Sequence, residues 1–235
     1  MWEPLFLINA LALGIALVVN VCFLVYLLMR PRHKTGTLAI LFSSFCTTVF
    51  ILMASIELIL PIPIISYGAA FLAVFVVMSY LLVALLVPNR QFSKLHVVLL
   101  AVAVLMGISI ATPGVMYEAI IPTADGYVEL VFGPYAFLLN IYFASVVAAT
   151  IFTYYRRIRE EKNDACCVML KIFAKSFLVY ITGFALALFI LPALGINFFT
   201  NLVLAFSMTI VIGTFAIMYT QRFMHLHKGD NCSLT

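Results

Sequence analysis

Seven apolar stretches divide this chain, and each is long enough to cross the roughly 30 Å hydrocarbon core of a bilayer as a helix of about 20 residues. Bounded by charges, prolines and glycines, they run over residues 5–29, 37–60, 65–87, 97–116, 132–155, 172–194 and 198–220. Only helices and closed barrels satisfy the backbone's polar groups inside lipid, and runs without period-two alternation argue against a barrel. The expected fold is therefore all-α, a seven-transmembrane helical bundle over residues 1–224, with a short cytoplasmic tail at 225–235. Composition agrees: 66% of the residues are apolar and 9% charged, too few charges to cover a water-soluble particle. The first stretch is expected to stay as helix one, because its apolar core is long for a signal peptide and Glu3 stands where a cation would precede one.

Orientation follows from the cations, since Lys- and Arg-rich loops stay on the cytoplasmic side. Arg30, Arg32 and Lys34 separate stretches one and two; Arg90 and Lys94 separate three and four. Arg156, Arg157, Arg159, Lys162 and Lys171 separate five and six, and Arg222 and Lys228 follow the seventh. All lie on one side, to which Lys175 can snorkel from one turn inside helix six. Glu3, Glu118, Asp125 and Glu129 occupy the other. The N-terminus is expected outside, the C-terminus inside, and the site of residence a cell membrane crossed many times. The same asymmetry accounts for the net charge of +4 without a nucleic-acid partner.

Two connections are long. Outside, between helices four and five, Thr123-Ala-Asp-Gly-Tyr-Val-Glu-Leu-Val places an Asp-Gly turn pair beside alternating residues and reads as a small β-hairpin. Inside, Arg156 to Asp164 has mixed charges suited to a helical extension of helix five into water.

Catalytic signals are missing: no phosphate loop, zinc motif or nucleophile elbow appears, so no enzymatic activity and no metal site is expected. The five cysteines, at 22, 46, 166, 167 and 232, have no ligand spacing and are expected as free thiols. The acid inside a span is Glu57, three residues before Leu60 and Pro61 and hence about 5 Å from the outer helix end. A carboxylate at membrane depth usually faces protein or a water-filled cavity. Two readings stand: an acid reaching the outer headgroups or bonded to a neighbouring helix, or a polar anchor in a ligand pocket. The candidate pocket comprises Glu57, Tyr67, Tyr135 and Asn140, with Asn9, Tyr117, Tyr142, Asn197 and Asn201 as further polar groups of the outer half, many of them interhelical glue. Arg156, Arg157 and Arg159 are the candidate contact for a cytoplasmic partner. Gly107, Gly183 and Gly213 are expected to permit close helix approach.

Helix seven contains no lysine, so no retinal cofactor is expected, and the motifs of animal seven-helix receptors are missing. A different family is closer. Leu28-Met-Arg-Pro-Arg, Ala54-Ser-Ile-Glu-Leu, Phe132-Gly-Pro-Tyr-Ala-Phe-Leu-Leu-Asn-Ile-Tyr, Ile190-Leu-Pro-Ala-Leu-Gly-Ile and Ile212-Gly-Thr-Phe-Ala-Ile-Met-Tyr together resemble the N-terminal seven-helix sensor region of bacterial histidine kinases. The chain departs from that pattern in lacking the tryptophan often found in the second helix, where Phe50 sits, and in carrying about a dozen residues after Arg222 in place of a kinase domain. His225 and His227 read as tail residues. The resemblance implies a non-catalytic sensor that binds a signal in its outer half and acts through another protein in trans. A structural subunit of a membrane complex and a small-molecule transporter are the alternatives.

Overall fold

A computed structural model of the chain describes residues 4–29, 35–60, 62–87, 91–122, 128–162, 164–190, 194 and 200–226. Among these, seven α-helices and one antiparallel strand pair follow in order: α1 (Pro4–Leu28), α2 (Thr35–Ile59), α3 (Pro63–Leu86), α4 (Lys94–Ala111), β1 (Tyr117–Pro122), β2 (Val128–Phe132), α5 (Ala136–Glu160), α6 (Asp164–Ala185) and α7 (Thr200–Leu226). A π-helical segment, Leu186–Ile190, continues α6. Helices α1 to α6 are long and apolar enough to cross a membrane, and α7 carries a further apolar stretch, Val203–Met218.

Local chemistry sets the helix ends. Pro63 occupies the first turn of α3, where its missing N–H and fixed φ cost nothing. Helix α4 opens with a capping box in which the His96 ring takes the place usually held by Glu: Nδ1 accepts from the Ser93 backbone N–H at 2.9 Å. It stops at Ala111, earlier than the expected residue 116. Thr112 precedes Pro113, and the proline excludes helical geometry there, leaving Thr112 extended at φ −92°, ψ 109°. Strand β2 runs through Phe132, so α5 starts four residues later than the apolar run, beyond Gly133 and Pro134. At its other end α5 continues to Glu160 as a helical extension, stitched by an Arg156–Glu160 pair at 2.5 Å. Helix α6 begins at Asp164, eight residues before its apolar run, with the acid in the first turn where the helix dipole favours it.

Helix α3 is the hub: it packs against α2, α4, α5 and β1. The remaining neighbours, α1 with α2 and α7, α2 with α7, α5 with α6, and α6 with α7, close the bundle. Two-thirds of the α3 span is buried (67%), against 22% for α1, α4 and α5, whose outward residues are large and apolar, as a lipid-facing exterior requires. Close approaches are made at small residues. A Cβ on Gly107 would lie 2.7 Å from the Phe71 ring of α3, and one on Gly183 would lie 2.5 Å from Ser207 of α7. Polar groups tie helices together inside: Asn20 of α1 donates to Thr209 of α7 at 2.7 Å, and Ser79 of α3 to Ser43 of α2 at 2.9 Å. An aromatic cluster of Tyr80, Phe173, Phe177, Tyr180 and Phe215 joins α3, α6 and α7, with Tyr80 and Tyr180 ring centroids 4.8 Å apart.

Candidate functional site

Helix α3 begins four residues after α2 ends and packs back against it, the last turn of α2 beside the first turn of α3. That brings Glu57 and Ser66 together. The Ser66 hydroxyl donates to Glu57 Oε1, and both residues are buried, at 6% and 4% exposure. A carboxylate removed from water needs donors to offset its desolvation, and Ser66 supplies one. Tyr67, next in sequence, is half-buried and packs on the core.

The other two candidate pocket residues lie elsewhere. Tyr135 precedes α5 and is 52% exposed, and Asn140 sits on the exposed face of α5. Helix α5 packs on α3 and α6, whereas α2 packs on α1, α3 and α7. Two residues beyond Asn140, α5 sends Tyr142 inward, and its hydroxyl donates to the Val74 carbonyl of α3 at 3.3 Å. Asn9 and Tyr117 are also buried; Asn197 and the side chain of Asn201 lie outside the described residues.

Strand β1 packs on α3, which places the strand pair on the helix that carries Ser66. The pair runs in antiparallel register from Tyr117 opposite Phe132 to Pro122 opposite Val128, and the Asp125-Gly126 turn lies outside the described residues. Gly133 closes it onto the preceding turn: its N–H bonds the Met116 carbonyl at 2.9 Å, and a Cβ there would meet the Val115 carbonyl oxygen at 2.8 Å. Burial pushes the Tyr117 phenol up to about 12, so it stays neutral at physiological pH.

At the opposite end of α3 the three candidate arginines separate. Arg157 is buried (4% exposed) and donates through Nη1 to the Ala84 carbonyl at 2.6 Å. The last carbonyls of a helix have no partner within it. Here the Val87 N–H satisfies Val83 and the Arg157 guanidinium satisfies Ala84. Arg156 and Arg159 are exposed; the first pairs with Glu160 and the second stacks on Tyr155 at 4.3 Å. So Arg157 belongs to the core, and the three do not form one outward surface. The signal was in the spacing. Val146, Thr150, Tyr154 and Arg157 recur at i, i+4, i+8 and i+11, the buried stripe of a helix. Sequence reasoning also missed Ser66 and Ala84, whose roles depend on which helix packs against which.

No protein-family model matches the chain, and a search of the curated proteins finds no match. Among the described residues no three His, Cys, Asp or Glu side chains gather as metal ligands. Cys22, Cys46 and Cys167 are free thiols, but Cys166 is disulfide-bonded, which corrects the expectation of five free thiols. The arrangement provides one central helix, α3, held near one end by a buried carboxylate and near the other by a buried guanidinium.

Proposed function

We propose that this chain is a non-catalytic, multi-pass sensor of a cell membrane, in which α3 relays a signal from the outer end of the bundle to a separate cytoplasmic protein. The cation distribution puts the N-terminus outside and the C-terminus inside. The Glu57–Ser66 pair and the strand pair on α3 then lie at the outer end, and Arg157 and the α5 extension at the inner end. The observation that carries the reading is the two-ended grip on α3. Residue 66 is tied to Glu57 and residue 84 to Arg157, about 27 Å apart along one helix at 1.5 Å per residue.

A signal that changes the Glu57–Ser66 contact changes the balance between helix arrangements, and a rigid helix transmits that shift as a sub-helical displacement at Ala84. Arg157 loses or regains its acceptor, and Arg156 and Arg159 on the exposed extension present the result to the partner. Lipid is the medium, and a protein acting in trans is the receiver, as in the kinase-linked sensor regions the sequence resembles. The experiment is hydrogen–deuterium exchange on the full chain in nanodiscs. Glu57→Ala should raise exchange at residues 156–162 as well as at the outer ends of α2 and α3. Faster exchange confined to the outer ends would refute the relay.

A further inference from the structure

Helix α6 carries two exposed cations on one face. Lys171 and Lys175 stand about 10 and 16 Å along the axis from its first residue, Asp164, within a helix long and apolar enough to cross a membrane. The buried face of α6 is Cys166, Met169, Leu170, Phe173, Phe177 and Tyr180. At about 100° per residue both lysines stand opposite that face, and both are exposed. Val168, Leu178 and Val179 surround them on the same side, at 52%, 52% and 43% exposure. The cations therefore emerge through an apolar strip that points away from the bundle.

Neither lysine has an ion pair or hydrogen bond among the described residues. The acid on the same face, exposed Asp164, lies about 10 Å from Lys171 along the axis, beyond a lysine's reach. Helical side chains lean toward the helix N-terminus, which for α6 is the cation-bearing end of the bundle. Lys175 leans toward Lys171, its i+4 neighbour, and both ammonium groups reach toward the headgroups at that end. An anion between them offsets the like-charge repulsion of an i,i+4 pair.

We propose that this strip of α6 binds an anionic phospholipid of the adjacent leaflet, its phosphate held between Lys171 and Lys175 and its acyl chains lying on Leu178 and Val179. The upward lean favours a lipid over an acidic transmembrane helix of another protein, because phosphates lie at the level the ammonium groups reach and an intramembrane carboxylate lies below it. The test is native mass spectrometry of the full chain released from nanodiscs of phosphatidylcholine doped with phosphatidylglycerol. The wild type should retain phosphatidylglycerol in preference to phosphatidylcholine, by roughly fivefold for each lysine near the surface. K171Q/K175Q should erase the preference, K171R/K175R should keep it, and removal of an exposed charge off this face, K162Q, should leave it intact. Added phosphatidylglycerol should raise the thermal midpoint of the wild type and not that of K171Q/K175Q. An unchanged preference in K171Q/K175Q, or none in the wild type, would overturn the proposal. Loss of a co-purifying membrane protein with the lipid preference unchanged would overturn it too, and assign the face to that protein.

Discussion

Removing the Arg157 side chain is expected to destabilise the bundle far more than removing either exposed arginine beside it. The guanidinium sits at 4% exposure and supplies the hydrogen bond to the Ala84 carbonyl, 2.6 Å away in the last turn of α3. A hydrogen bond involving a charged group contributes about 1.5–3 kcal/mol, and an abandoned carbonyl in a buried setting costs about 1–3 kcal/mol. These two figures describe the same lost contact and are not summed. Relief of the guanidinium's own desolvation offsets part of the loss. Arg157→Ala should therefore lower the unfolding free energy by about 2 kcal/mol, close to thirtyfold in the equilibrium constant. Arg156→Ala removes an exposed i,i+4 pair and Arg159→Ala an exposed stack on Tyr155, each expected within about 1 kcal/mol. The assay is SDS-driven unfolding in mixed micelles, followed by far-ultraviolet circular dichroism. If the three alanine variants unfold at the same SDS fraction within error, Arg157 is not an anchor of α3.

Ser66→Ala strands the buried Glu57 carboxylate and should cost about 1–3 kcal/mol in the same assay, whereas Ser66→Thr should recover most of the loss. Gly183→Ala drives a Cβ to within 2.5 Å of Ser207 and should destabilise the α6–α7 interface by about 1–3 kcal/mol; Gly14→Ala, which meets nothing within 4 Å, should be neutral or stabilising. Gly133→Ala pushes a methyl against the Val115 carbonyl and should raise amide exchange across β1 and β2 while leaving α1 and α7 unchanged.

Most of the helices could be read directly from the sequence, because a membrane helix announces itself by length and by the charges, prolines and turns that bound it. The mixed charges after Tyr155 marked one extension, whereas α3 starts at Pro63, two residues before the apolar run. Helix faces were harder. In a soluble protein the exposed face is polar, and period 3.6 shows at once. In α1 and α4 the outward residues, such as Leu11, Ile15, Leu105 and Ile108, are as apolar as the inward Leu13, Ala16, Ala103 and Ile110. Little hydropathy contrast remains to say which side meets protein. Asn140 and Arg157 were placed by depth and by membrane side, two coordinates that carry no rotational information. The stripe through Thr150 and Tyr154 held that information for Arg157. Glu57 was legible as an unusual acid at its depth, but its donor was not, since Ser66 becomes its neighbour only when α3 packs back along α2.

The account turns on α3 linking its two anchored ends, and a double-mutant cycle measures that link directly. Glu57→Ala, Arg157→Ala and the combined variant are unfolded in the same mixed micelles. Substitutions this far apart ordinarily add within about 0.5 kcal/mol. Relay through α3 predicts a larger interaction energy, with the second anchor worth less once the first is gone; strict additivity across 27 Å or so of helix would contradict it.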